Sequence, residues 1–153
     1  MHKSARIAGY LFAALLGTLT AASNQAAEPA TLSYLHLYAD SKGESHFKTG
    51  KLPFEVMRRE GRSGGPLAHR LADTDGAMFL HLKSGAFEDW HTAPRQWFLI
   101  AVQGISEVTA SDGEKRQLKP GMIMLMGDTT GKGHQTRAIG PEDHVALVVP
   151  FKE

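Results

Sequence analysis

The sequence predicts an all-β domain, a sandwich or a barrel built from many short strands. Apolar-rich segments of roughly five to eight residues recur along the chain, separated by the Gly, Pro, Asp and Ser residues typical of turns. Beyond the N-terminal region, no stretch has the sustained 3.6-residue periodicity of an amphipathic helix. The 153 residues include no cysteine, so disulfides and thiolate–zinc sites cannot stabilise the chain. We therefore expect one domain with an ordinary hydrophobic core.

Residues 1–27 have the pattern of a cleaved secretory signal peptide. Lys3 and Arg6 precede an uncharged, mainly apolar run over Ile7–Leu19, and small residues follow this run. The run has about thirteen residues, whereas a membrane-spanning helix needs roughly 20, which argues against an anchor. We expect cleavage close to residue 27, export to the periplasm or the extracellular space, and a single barrel domain over residues 28–153.

The predicted mature domain is close to electrically neutral. The chain has 17 Lys and Arg residues against 16 Asp and Glu residues, and the predicted signal peptide contains two of the basic residues and none of the acidic ones. Its removal leaves a net charge of about −1. Such a balance favours neither nucleic acid nor an anionic membrane as a partner.

Eight segments are predicted to be strands. Turn signals such as Asp75-Gly76, Asp112-Gly113 and Pro120-Gly121 separate them, and the polar, glycine-rich residues 58–65 are predicted to be a loop. In chain order, the predicted strands are Leu32–Tyr38, Leu52–Met57, Ala77–Leu82, Trp97–Gln103, Ser106–Ala110, Met122–Met126, Gln135–Ile139 and Val145–Phe151.

Two of these segments carry further information. The Asp112-Gly113 pair favours the left-handed backbone of a tight turn, which predicts a hairpin beginning with Ser106–Ala110. Every residue of Met122–Met126 is apolar, as expected of a strand that is buried on both faces. Its three methionines, Met124 among them, share one face, and we interpret them as core or pocket lining rather than copper ligands.

Two histidines, each in a segment with glycines at defined spacings, make the sequence similar to a known family. The first segment runs from Gly85 through five residues to His91 and on to Gly104, and the second contains Leu118-x-Pro120-Gly121 and ends in Gly131-x-x-His134. This framework resembles the two conserved motifs of the cupin superfamily. It is most similar to small bacterial cupins of unassigned function that carry Asp-Trp-His-x-Ala-Pro-Arg, here Asp89–Arg95. The resemblance covers nearly the whole mature chain and implies a double-stranded β-helix, or jelly-roll barrel, after the signal peptide.

The resemblance also implies a metal site from which this chain departs. In metal-binding cupins the first motif supplies two histidines and a glutamate, and the second motif supplies one more histidine. His91 and His134 match the first and last of these ligands, whereas Ala93 and Trp97 stand at the other two positions. Because catalytic zinc and iron sites normally have three protein ligands, we expect Fe, Mn, Zn or Cu to be bound weakly at most.

A third metal ligand could come from outside the motifs. Glu88 and Asp89 lie just before the first motif histidine, where we expect both to be solvated beside a turn, and His81 lies on the preceding predicted strand with an ambiguous facing. His46 and His144 lie in polar surroundings, and we expect both to be exposed.

The predicted ligand pocket comprises His91, Trp97, His134, Arg95 and Met124. If the family orientation holds, strand alternation turns His91 and Trp97 toward the barrel interior. Pro94 stiffens the turn that carries Arg95, and a guanidinium at the barrel mouth could bind a carboxylate through two hydrogen bonds. Such a contact would suit an organic acid.

These observations leave two functions open. The first is an exported cupin-fold protein that binds a small molecule in its barrel, with His91 and His134 as hydrogen-bonding groups. The second is a metal-dependent cupin enzyme, of oxygenase or isomerase type, with a non-standard ligand set. A homodimer is compatible with both, since cupins often pair through edge strands. The two missing ligands favour the first function, with no tightly bound metal.

Overall fold

Strands make up the regular structure of the chain. The computed structural model describes residues 30–56, 67–70 and 72–152, and within them it contains no helix. The predicted signal peptide and the predicted loop at residues 58–65 lie outside this part. In chain order, the strands are β1 (Thr31–Ala39), β2 (Ser45–Pro53), β3 (Glu55–Val56), β4 (Leu67–Ala68), β5 (Met78–Leu82), β6 (Phe87–His91), β7 (Trp97–Gln103), β8 (Ile105–Ala110), β9 (Lys115–Leu118), β10 (Ile123–Gly127), β11 (His134–Ile139) and β12 (His144–Pro150).

Two large sheets form the barrel. The six-stranded sheet has the order β2-β1-β10-β7-β12-β5, and the four-stranded sheet has the order β6-β11-β8-β9. The pair β1–β10 is parallel, whereas neighbours such as β10–β7, β12–β7 and β11–β8 are antiparallel. Successive strands change sheet between β5 and β6 and between β7 and β8. This is the connectivity of a jelly roll, or double-stranded β-helix, and it confirms the predicted fold class.

The core lies between the inner faces of the two sheets. Buried and half-buried residues alternate strictly along β8 and β12, as expected when every second side chain faces the interior. Met124 of β10 is fully buried among the residues of this core. In the described residues, no helix is long and apolar enough to cross a membrane.

Seven of the eight predicted segments coincide with strands to within one residue at each end. The other one, Leu52–Met57, spans the end of β2 and the short β3, and Met57 lies outside the described residues. Most of β2 and all of β4, β6 and β9 were not predicted. Of these, β2, β6 and β9 are edge strands of the two large sheets, and much of their surface faces solvent, so their side chains need not alternate between apolar and polar.

The turns after β1, β8 and β10 are joined by hydrogen bonds at one end of the barrel. Ser45, which is fully buried, donates from its hydroxyl to the Gly133 carbonyl (2.6 Å) and accepts from the backbone N–H of Ser111 (2.6 Å). The Lys132 N–H donates to the Gly43 carbonyl (2.8 Å). These bonds fix the chain immediately before His134.

His46 bridges two of these turns, and its contribution to the stability of the fold depends on pH. Its Nδ1 lies 2.6 Å from the Asp112 carboxylate and its Nε2 lies 3.4 Å from Asp40. The hydrogen bond to Asp112 is the main cause that raises the pKa of His46 in the folded protein. The stabilisation from the charged ring is therefore complete below the unfolded value of 6.5 and is lost as the pH rises through the raised folded value.

We expect His46→Gln to reduce the free energy of unfolding more at about pH 5.5 than at about pH 8.5. Both carboxylates stay ionised over this range, because the pKa values of Asp40 and Asp112 are lowered. Urea unfolding of the wild type and the variant at the two pH values measures the difference. A difference that grows toward alkaline pH would contradict the proposed bridge.

Candidate functional site

The two motif histidines lie directly opposite each other on neighbouring strands. His91 ends β6 and His134 begins β11, and the antiparallel register pairs them, with ring centroids 4.3 Å apart. His134 is buried, whereas His91 is exposed. Between the strands, Gly133 has φ +73°, and a Cβ at this position would overlap the backbone carbonyl of His91. A glycine is therefore needed for the two strands to approach at this point.

An irregularity in β6 brings a carboxylate to the same side as these rings. His134 pairs with His91, but Thr136 pairs with Glu88, so three residues of β6 span the length of two residues of β11. Such a β-bulge reverses the facing of the residues beyond it. Glu88 and His91 are three residues apart and would face opposite ways on a regular strand, yet both line the barrel cavity.

Asp128 holds the second histidine in place. Its side chain is fully buried, and its Oδ2 lies 2.6 Å from Nδ1 of His134. Its backbone carbonyl accepts a hydrogen bond from the Ala93 N–H (3.3 Å), two residues after His91. This one residue therefore joins the segments that carry the two histidines.

The barrel encloses a cavity of about 190 Å³ with two chemically different walls. The six-stranded sheet contributes the side chains of Leu80, Leu82, Trp97, Leu99, Met124 and Met126, and the four-stranded sheet contributes the polar residues Glu88, His91, Ser106, His134 and Thr136. The wall from the six-stranded sheet is thus mainly apolar, apart from His144 and the unpartnered indole N–H of Trp97. It faces a wall on which the polar residues lie beside Val108 and Leu118.

The inner end of the cavity carries a second polar pair. Nε2 of His144 lies 3.3 Å from the Ser106 hydroxyl, and both residues are buried. Ser106 pairs with a residue four positions along β11 from His134, so the two polar ends are about 13 Å apart along the sheet. Burial is the main cause that lowers the pKa of His144, which favours a neutral ring. The prediction that His144 is exposed was wrong, because it begins the central strand β12 rather than ending a turn.

Four of the five predicted pocket residues, His91, Trp97, Met124 and His134, line this cavity. Arg95 does not. It pairs with Asp75 at 3.2 Å and lies in a separate surface depression. His81 also faces away and contacts Asp143 at 2.8 Å, while the Asp89 carboxylate accepts from Gln135 at 2.8 Å. Glu88, expected to be solvated, lines the cavity instead.

Several solved structures are similar to this chain. A Cupin 2 conserved barrel domain protein from Salinispora arenicola is 18% identical over 66% of this chain and 76% of its own, with a TM-score of 0.43. The cupin domain of Cnp3 from Schizosaccharomyces pombe is 14% identical over 81% and 84%, with a TM-score of 0.41. KdgF from Halomonas sp. is 29% identical over 54% and 76%, with a TM-score of 0.38.

The sheet order and the opposed motif histidines are those expected of a cupin barrel. The chain has the double-stranded β-helix, or jelly-roll, fold that is typical of cupins. No family model and no curated protein matches the sequence. The jelly-roll barrel that the resemblance implied is confirmed by the sheet topology, whereas the ligand, export and dimer stay predictions.

The residues of this protein do not fit the metal site of metal-binding cupins. Each motif histidine has its Nδ1 bonded to an oxygen atom, which leaves Nε2 available, as in metal-binding histidines. However, no group of three His, Cys, Asp or Glu side chains in the described residues could hold an ion. Two neutral imidazoles neither neutralise a divalent cation nor fix its geometry.

Proposed function

We propose that this protein binds a small molecule in its barrel cavity. The observation that carries the proposal is the cavity of about 190 Å³ with the two motif histidines in its lining. An apolar protein cavity of about 150 Å³ is large enough to bind benzene, so this cavity has room for a ring with a small substituent. Because residues 1–27 are predicted to direct export, we place this binding in the periplasm or the extracellular space.

The two walls of the cavity support an amphipathic ligand. Apolar side chains from β7 and β10 would cover one side of the molecule, and polar side chains from β6 and β11 would orient it. Such a division, with a mainly apolar surface and a few directed polar groups, is typical of small-molecule sites.

Filling the cavity should abolish binding without unfolding the protein. Val108 lines the cavity and is buried, so we expect the ring of Val108→Phe to occupy the empty space and to cost less than about 1.5 kcal/mol of stability. In the wild type, benzene should shift the NMR signals of the Met124 and Leu99 methyl groups, and in the variant it should not.

Val148→Phe is the matched control. Val148 is equally buried in the same core but does not line the cavity, so the larger ring should cost about 1–3 kcal/mol through overpacking. Benzene that leaves the wild-type methyl signals unchanged, or that still shifts them in Val108→Phe, would count against binding in this cavity.

The alternative is a metal-dependent enzyme with a non-standard ligand set. The observation in its favour is that both motif histidines bond to protein through Nδ1 and leave Nε2 available. Metal analysis of the protein purified from its native compartment, with His91→Ala and His134→Ala beside it, separates the two functions. Near-stoichiometric metal that both variants lose would favour the enzyme, and an intact organic ligand without metal would favour the binding protein.

A further inference from the structure

The hydrogen-bonding direction of His91 is set by its own strand. Its Nδ1 lies 2.7 Å from the backbone carbonyl oxygen of Asp89. A carbonyl oxygen can only accept, so Nδ1 must carry the hydrogen. In a neutral imidazole the other nitrogen then has a lone pair and no hydrogen. Nε2 of His91 is therefore an acceptor.

Asp128 sets the hydrogen-bonding direction of His134 in the same way. The carboxylate oxygen 2.6 Å from Nδ1 is fully buried with the rest of its side chain, and an ionised carboxylate can only accept. A neutral His134 ring thus donates from Nδ1 and presents Nε2 as a second acceptor. In the described residues, neither Nε2 has a hydrogen-bond partner from the protein.

The charges of the cavity lining also favour an uncharged ligand that donates a hydrogen bond. Glu88 lines the cavity, whereas Lys and Arg are absent from its lining in the described residues. The guanidinium of Arg95, which could have received an organic acid, is paired with Asp75 outside the cavity. An anion bound at the two histidines would therefore face two acceptors and a carboxylate, with no Lys or Arg side chain in the lining to balance its charge and with the Trp97 indole N–H as an unpartnered neutral donor.

We propose that the ligand is an uncharged, ring-sized molecule with a hydroxyl group that donates to the paired Nε2 atoms, a phenol or a cyclic alcohol rather than a carboxylic acid. Asp128 is the positioning residue that keeps His134 in its acceptor form. The inference rests on the proposed function, because it specifies what the same cavity recognises.

The first experiment compares phenol, anisole and benzoate as probes, with binding followed by NMR of the wild-type protein near neutral pH. Phenol should bind at least about fivefold more tightly than anisole, whose oxygen cannot donate, and benzoate should bind most weakly. If phenol and anisole bind equally, or benzoate binds best, the hydroxyl-donor inference is wrong while the cavity still binds ligands. If none of the three binds, the proposed function fails with it.

The second experiment determines which nitrogen of each imidazole ring carries the hydrogen. Long-range ¹H–¹⁵N spectra of the wild type should show both rings with hydrogen on Nδ1 and none on Nε2. Asp128→Asn replaces the carboxylate by an amide that can donate to Nδ1, so we expect hydrogen on Nε2 of His134 and a phenol-to-anisole preference that falls several-fold. Hydrogen on Nε2 of either ring in the wild type would overturn the inference, whatever the variant does.

Asp112→Asn is the matched control, because it makes the same change in another Asp–His pair with a 2.6 Å contact, to His46, outside the cavity. It should leave the His134 spectrum and the phenol preference unchanged. Equal effects of the two variants would mean that Asp128 acts only through the general stability of the fold.

Discussion

Gly133→Ala is expected to destabilise the protein by more than about 3 kcal/mol, a large fraction of the roughly 5–15 kcal/mol by which domains are stable. Two costs combine at this position. The φ of +73° puts any L-residue in the left-handed region, at about 1–2 kcal/mol. The added Cβ would also overlap the carbonyl group of His91, and backbone atoms cannot move aside as a flexible side chain can. Urea unfolding of the purified variant measures the loss.

Gly113→Ala separates these two costs. Gly113 has φ +90° in the turn between β8 and β9, but a Cβ there would meet nothing within 4 Å. The control variant should therefore lose only the conformational part, about 1–2 kcal/mol. Similar losses in both variants would show that β6 and β11 do not need their close approach at the two histidines.

Ser45→Ala should reduce the free energy of unfolding by about 2–4 kcal/mol. The hydroxyl is fully buried, donates to the Gly133 carbonyl and accepts from the Ser111 N–H. Its removal leaves two backbone groups without partners, and an unsatisfied buried group costs about 1–3 kcal/mol. Because Gly133 precedes His134, the NMR signals of the His134 ring should also shift in this variant.

The exposed serine of another turn is a suitable control. The Ser84 hydroxyl donates to the Gly140 carbonyl at 2.7 Å, but in an exposed site where water can replace it. Ser84→Ala is therefore expected to cost less than about 1 kcal/mol and to leave the His134 signals in place. Equal losses of unfolding free energy in the two variants would contradict the view that the Ser45 hydrogen bonds contribute more because they are buried.

The fold class could be predicted from the sequence because the central strands of the six-stranded sheet are buried on both faces. Residues such as Phe98 and Leu125 are buried on one face of the six-stranded sheet while Leu99 and Met124 are buried on the other, and this burial appears in the sequence as short apolar runs. The unpredicted edge strands carry residues such as Lys48 and Arg116 on exposed surfaces, where burial does not select apolar side chains.

The candidate site was predictable only where regular alternation holds. The family framework located His91 and His134, and alternation placed Trp97 toward the interior. Glu88 faces the cavity because a β-bulge lies between it and His91. The residues Glu88-Asp89-Trp90 show no sequence pattern that predicts this bulge. Asp128 follows the end of β10, where an acidic residue is normally expected to be exposed to solvent. It is buried together with the His134 ring that it contacts, and the sequence alone does not show this pairing.

The division of the cavity between two sheets has a consequence for how relatives of this protein could diverge. Substitutions at Leu99 or Met126 would change the shape of the cavity, whereas the side chains of His91, His134 and Glu88 lie on the facing sheet and would not be altered. Glu88→Gln would remove the charge of the cavity lining and leave the shape of the cavity nearly unchanged. Size selectivity and charge selectivity can therefore change in separate evolutionary steps.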